Sequence, residues 1–170
     1  EIVVTATRYA KNIDSVPANV SVITAAQIKN AVARTIPELL RTQVGLHVTD
    51  ITGNRQTYSV DIRGFGETGA LNTLVLVDGR LINSADLSGT DWTVMPLDRV
   101  ERIEIIRGAR TSVIYGDNAS GGVINIITRQ GDTFKAGAEF TGGSYDTYEE
   151  AAYLSGSEGD FTYALSGSLR

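Results

Sequence analysis

Past Gly131-Asp132 the chain changes its pattern, and that change constrains the fold more than any single motif. Phe134, Ala136, Ala138 and Phe140 fall on one face of an extended segment, with Lys135, Gly137, Glu139 and Thr141 opposite. Gly143-Ser-Tyr-Asp146 predicts a turn, and residues 147–156 a second strand whose faces Glu149-Glu150 leave unassigned. Glu158-Gly-Asp160 turns again, after which Phe161, Tyr163, Leu165 and Leu169 alternate with Thr162, Ala164, Ser166 and Ser168. A period of two marks strands with unlike faces. Strands of about ten residues, apolar on one side and small or polar on the other, match those of transmembrane β-barrels. An antiparallel meander with one wet face gives the same pattern. Alternation that is still running at Arg170 predicts that the chain is cut from a longer one.

Charge divides at the same place. Residues 1–130 carry 13 basic and 13 acidic groups and are net neutral. Residues 131–170 carry two basic against seven acidic groups, which accounts for the whole net charge of −5. With no Lys/Arg run, a nucleic-acid partner is not expected. The absence of cysteine excludes disulfide scaffolds, thiol catalysis and thiolate-held metals. No apolar run approaches the roughly 20 residues of a membrane-spanning helix. The sequence opens on Glu1 without a basic signal region, as in a cytoplasmic protein or a mature exported one.

The first 130 residues read as a mixed α+β domain. Asn19–Thr24, Tyr58–Arg63, Thr73–Asp78, Val100–Arg107 and Val123–Thr128 are β-prone runs, and Thr111–Tyr115 fits one helical turn. Thr24-Ala-Ala-Gln27 and Thr35-Ile-Pro-Glu38 have capping-box spacing, the second with proline inside the first turn. Ile28 with Val32, and Ile36, Leu39 and Leu40 with Val44, are spaced for helix faces, with Gly45 as a C-terminal cap. Long loops are expected at 50–57, 64–72 and 83–95.

Four motifs carry possible chemistry. Gly64-Phe-Gly66-Glu-Thr-Gly69 has dinucleotide-fingerprint spacing but runs on into a strand, whereas the mechanism needs a helix N-terminus; a flexible loop is the expectation. Ser120 in a glycine-rich turn, with His47 upstream, suggests a serine hydrolase, yet no spacing places a base against the hydroxyl. Asp86 and Asp91 share a loop but lack calcium-site spacing, so no metal is expected. Arg63 and Arg107 each end a β-prone run before a glycine. They are either solvated rim residues or partners of acids outside the domain.

Asn19–Thr24, Ile36–Leu40 with Gly45-Leu46, Ile62–Phe65, Val75–Gly79, Val100–Gly108, Val113–Gly116 and Gly121–Thr128, taken in order, resemble the plug of TonB-dependent outer-membrane receptors. Residues 131–170 resemble the first three strands of that family's barrel. Ser144-Tyr-Asp-Thr-Tyr148 is similar to the vitamin B12 receptors within it.

The resemblance implies a TonB box at 1–8, a plug at 9–130 and an incomplete barrel from 131. The implied function is import of a metal chelate (ferric siderophore, cobalamin or haem) with no enzymatic activity, no cofactor and no resident metal. TonB would take Glu1, Ile2, Val3, Val4, Thr5, Ala6 and Thr7 from the periplasm by adding a strand to a sheet edge. Substrate would settle on the plug apices, at Asn54, Arg55, Gln56, Phe65, Glu67, Thr68, Ser84, Asp86, Asp91 and Trp92. Arg63 and Arg107 would latch the plug to acids of the receptor's own barrel in the outer membrane. The alternative is a soluble ligand-binding plug fragment without transport.

Overall fold

A computed structural model describes residues 2–3, 5, 11–15, 19–53, 57–84, 90–108, 110–129, 134–142, 148–159 and 161–169. The chain forms two compact units, Glu1–Thr128 and Arg129–Arg170. The first unit carries β1 (Ile2–Val3), β2 (Lys11–Asn12), β3 (Asn19–Ile23), α1 (Ala25–Asn30), α2 (Ile36–Leu40), β4 (Leu46–Asp50) and β5 (Thr57–Ile62). It continues through α3 (Gly69–Asn72), β6 (Thr73–Val77), β7 (Arg80–Leu81), β8 (Thr90–Asp91), β9 (Val100–Arg107), α4 (Arg110–Tyr115) and β10 (Gly122–Thr128). The second holds β11 (Lys135–Gly142), β12 (Tyr148–Glu158) and β13 (Phe161–Leu169). No helix among the described residues is long and apolar enough to cross a membrane.

Local chemistry sets the helix starts. Thr24 accepts from the Gln27 amide at 3.3 Å while Gln27 Oε1 accepts from the Thr24 amide at 2.9 Å, a complete capping box. At α2 the exchange is offset. Thr35 accepts from the Glu38 amide, but Glu38 Oε2 reaches back to the Arg34 amide at 2.8 Å. Both helices stop sooner than their apolar spacing predicts. Ala31 is extended, so Val32 lies off the α1 face at 98 % exposure. Val44 is 90 % exposed beyond the end of α2, and Gly45, at φ 78°, turns the chain into β4 rather than capping the helix.

The main sheet has the order β3-β9-β10-β6-β7, with β10 and β6 parallel and the other pairs antiparallel. A second sheet, β4-β5-β8, is antiparallel throughout. Strand β4 lies in a stretch whose periodicity assigned nothing, because its apolar residues are only Leu46 and Val48. Pairing with β5 makes it a strand.

The main sheet is covered on both faces. Ile23, Val75, Ile103, Ile105, Ile124 and Ile126 join Ile28, Ile36, Leu39, Leu40, Ile62 and Trp92 in the larger core. Leu74, Leu76, Ala119 and Val123 pack together on the reverse face, where Ile106 gathers Ile13, Val20 and Val22. At the end of the sheet a Cβ on Gly122 would overlap Ile106 O and lie 2.8 Å from Ile62 Cδ1, so that position admits no side chain.

In the second unit the register resolves the strand faces. Ala136 stands opposite Leu154 and Leu165, and Phe140 opposite Glu150 and Leu169. Glu150 therefore belongs to the apolar face. Tyr153 covers Gly137 across the strand pair, where a Cβ would lie 2.5 Å from its ring. Phe140, Phe161, Leu165 and Leu169 are all exposed.

These features rank two substitutions. Thr24→Ala removes one cap and is expected to cost about 1 kcal/mol. Gly122→Ala forces the closest strands apart and is expected to cost more, about 1–3 kcal/mol. Urea unfolding of the chain checks both; equal midpoints would contradict the packing at Gly122.

Candidate functional site

Three groups of residues gather at distinct places in the first unit. Among residues 1–7, the backbone of Ile2–Val3 and the whole of Thr5 are described; Glu1, Val4, Ala6 and Thr7 lie outside the described residues. Ile2 and Val3 pair antiparallel with Asn12 and Lys11. Thr5 is 1 % exposed and docks on the reverse face of the main sheet. Its amide and its hydroxyl both donate to Glu104 Oε2, at 2.8 and 2.6 Å. Asn125 Nδ2 donates to Thr5 Oγ1 at 2.9 Å, and Tyr115 OH donates to Thr5 O at 2.8 Å.

Glu104 and Asn125 are cross-strand neighbours in β9 and β10, so the register places both side chains on one face. Glu104 has no exposed surface and Asn125 only 4 %. Arg102 Nε donates to the other Glu104 oxygen at 3.0 Å, and the Gly79 amide donates to Asn125 Oδ1 at 3.2 Å. A buried carboxylate is tolerable when its lone pairs are filled in this way. No sequence pattern pointed to Glu104, Asn125 or Tyr115, because their partner lies 99 to 120 residues away.

The second group surrounds the β4–β5 hairpin. Residues 51–53 follow β4, and Asp50 Oδ1 accepts from the Gly53 amide at 2.8 Å, closing the turn. Thr57 pairs with Asp91, which brings the end of β8 to the same tip. Asp91 accepts from the Thr93 amide and hydroxyl at 2.9 and 2.6 Å, and these bonds hold its carboxyl below the usual range. Trp92 is not presented at the surface. It is buried, donates from Nε1 to Tyr58 O at 3.2 Å, and anchors the loop from beneath. Ser84 is half-buried, while Asn54, Arg55, Gln56 and Asp86 lie outside the described residues. The pair Asp86 and Asp91 is therefore not described as a unit.

Phe65, Glu67 and Thr68 are exposed, but they follow the opposite end of β5 from the 51–57 tip. The glycine-rich stretch is also not a flexible loop. Residues Gly66–Thr68 form a 3₁₀ turn that leads into α3, and buried Asp61 accepts from the Phe65 and Gly66 amides at 3.0 and 2.8 Å. Those amides are thus already committed to a carboxylate rather than free for a pyrophosphate. Gly69 is required there because a Cβ would lie 2.5 Å from Asp61 Cβ. Asp61 also stands opposite His47 in register, so the acid nearest that histidine along the strand pair serves the turn instead.

Arg63 and Arg107 form the third group. Arg63 is exposed and has φ 77°, the left-handed region, immediately after β5. Its guanidinium lies over Gly108, where a Cβ would sit 3.2 Å from Nη2. Arg107 donates from Nη1 to Ser21 Oγ at 2.6 Å and from Nη2 to Val44 O at 3.0 Å. Its Nε is buried without a hydrogen-bond partner, and partial burial lowers the guanidinium pKa from its ordinary value. The Arg63 guanidinium therefore lies over Gly108, while that of the adjacent Arg107 reaches Ser21 and Val44.

The family model for the TonB-dependent Receptor Plug Domain matches residues 12–123. The vitamin B12 transporter BtuB of Vibrio cholerae is 42% identical over 160 residues, which is 91% of this chain and 25% of that protein. Among solved structures, the pyoverdine outer membrane receptor FpvA of Pseudomonas aeruginosa, bound to pyoverdine, superposes with a TM-score of 0.75 at 22% identity. It covers 94% of this chain and 22% of the receptor. The alcaligin outer membrane receptor FauA of Bordetella pertussis gives 0.71 at 26% identity, over 92% of this chain and 26% of that one. The chain spans about a quarter of the length of these relatives. They are transporters and receptors rather than enzymes, which removes the hydrolase reading of Ser120 and His47. The chain belongs to the TonB-dependent receptor plug family.

Proposed function

We propose that this chain is the plug and the opening barrel strands of an outer-membrane importer of a large metal chelate, driven through TonB. The observation that carries the reading is the 42% identity to a vitamin B12 transporter across 91% of the chain. The same observation favours a corrinoid cargo over a ferric siderophore, since the siderophore-receptor structures cited are only 22–26% identical to it.

The tip at Thr57 and Asp91 and the turn at Phe65–Thr68 lie at opposite ends of β5, so the proposed contacts are spread along that strand. Phe65, Glu67, Thr68, Ser84 and Asp91, with Asn54, Arg55, Gln56 and Asp86, are the proposed contacts, and Trp92 is their support.

In this reading residues 1–7 face the periplasm and add a strand to TonB, while the plug fills the lumen of its own barrel. The apolar face of β11–β13 turns to lipid. Arg63 and Arg107 hold barrel carboxylates. The planar guanidinium fork suits a bidentate grip that lysine does not reproduce.

Three measurements in the full-length receptor test this reading. In a host lacking its own vitamin B12 receptor, labelled cobalamin should accumulate with the receptor and ferric siderophores should not; uptake of a siderophore alone would reassign the cargo. Val4→Pro removes a ladder amide and should abolish uptake while cargo binding persists. Arg63→Ala and Arg107→Ala should each loosen the plug, since removing one side of a buried pair costs on the order of 3–5 kcal/mol. Entry of large antibiotics reports the loosening, and wild-type exclusion in both variants would remove the latch.

A further inference from the structure

We infer that Asn83 is a positioning residue for the cargo face, a single side chain that fixes Ser84 and the Asp91 tip by joining the two sheets of the first unit. The inference rests on the proposal that Ser84 and Asp91 contact cargo, and it adds the group that holds them in place.

The edge of β6 shows what Asn83 does. Leu76 pairs with Leu81 and Val77 with Arg80, so the antiparallel register continues to Val75 opposite Ile82. One bond of that pair is made, the Ile82 amide donating to Val75 O at 3.0 Å. In a regular ladder the Val75 amide would donate back to Ile82 O, and Thr73 O would accept from the Ser84 amide. Instead the Val75 amide donates to Asn83 Oδ1 at 2.6 Å, and Asn83 Nδ2 donates to Thr73 O at 3.0 Å. The carboxamide thus stands in for one carbonyl and one amide of a longer β7, and both of its partners belong to buried residues.

This replacement frees the backbone for a different neighbour. Asn83 bridges antiparallel to Thr90, and Thr90 pairs with Tyr58 in the second sheet. One residue therefore grips the main sheet by its side chain and the second sheet by its backbone. Buried Thr90 is followed by Asp91 opposite Thr57, and Ser84 follows Asn83 directly. Ser84 and Asp91 are thus placed from one junction.

The junction is specific to asparagine. An amide only donates and a carbonyl only accepts, so the group between Val75 and Thr73 must supply one acceptor and one donor on a short side chain. Aspartate has the same shape but two acceptors, and its second oxygen would face Thr73 O. Alanine removes both groups. Either change leaves a buried backbone group unpaired, which is unfavourable well beyond the loss of an exposed bond. The regular pairing of Ile82 and Ser84 with β6 then competes with the bridge to Thr90 and draws Ser84 away from Asp91. Cargo affinity falls with the fraction of molecules that keep the two together.

The test uses the full-length receptor with Asn83→Asp, which keeps the shape, and Asn83→Ala, which removes the group without adding charge. Amide exchange of peptides covering β6 and β8 reads the junction, and exchange across β9 and β10 reports that the plug is intact. Binding and uptake of labelled cobalamin read the function. Both variants should speed exchange at β6 and β8 and weaken cobalamin binding on the order of tenfold, with uptake at saturating cobalamin unchanged. Unaltered exchange at β6 and β8 overturns the junction. Faster exchange with unaltered cobalamin affinity, or a loss confined to the saturated uptake rate, overturns the positioning role. Loss of protection across β9 and β10 in both variants makes Asn83 a residue of the fold as a whole and overturns that role too. If the wild-type receptor binds no cobalamin while exchange responds as stated, the junction stands and the cargo reading is what fails.

Discussion

Strand β9 runs through the main sheet with β3 on one edge and β10 on the other, and both of its faces are covered. Neither face can therefore be left polar without compensation. One face is satisfied by Ile103 and Ile105 in the larger core. The other carries Glu104 and Ile106, and an ionisable group with no exposed surface must find partners inside the protein. Thr5, brought from the far end of the chain, supplies two of them. Thr5 is thus tied to an interior strand of the main sheet by a requirement of that strand.

The same strand sets the position of the arginines. Val100–Arg107 ends where Gly108, at φ 114°, reverses the chain, and the Gly121 carbonyl accepts the Gly108 amide at 2.9 Å. Arg107 is fixed at that end through Ser21 and Val44, and Arg63 arrives from the end of β5. Two cations at one turn, one of them partly desolvated, are the basis of the proposal that acidic groups from outside the unit face them. The tip at Asp91 is held both by short local bonds to Thr93 and by its pairing with Thr57.

The two units differ in what stabilises them. The first has a closed core with hydrophobic residues on both sides of a sheet. The second is a three-stranded antiparallel meander whose large apolar side chains stand exposed on one face, among them Phe140, Phe161 and Leu165. A sheet of that kind has no core of its own. Its stability depends on a neighbour for the edges and a non-aqueous phase, or another chain, for the face.

The residues themselves determined what depends on neighbours in the chain. The Thr24 box, the proline in the first turn of α2 and the strand patterns of β3, β6, β9, β10, β11 and β13 were legible because each is decided within a few residues; the faces of β12 were not. Family membership was legible for a related reason: its ordered blocks are these same local elements. Helix ends were less so, since Val32 and Val44 fit the stripe by spacing while the backbone turns extended before reaching them. Strand β4 needed β5, and Trp92 needed the carbonyl of Tyr58 to show that it supports its loop from inside. That the residues expected at the apices lie at both ends of β5 became visible only once that strand had neighbours. The seat of Thr5 is the extreme case. Glu104, Tyr115 and Asn125 read in the chain as an ordinary charge, an aromatic and an amide, and only folding places them on one side of one sheet, around a residue some hundred positions away. Sequence specifies hydrogen bonds that close over a few residues; those that close over a hundred are decided by the register of the strands, which the tertiary structure alone fixes.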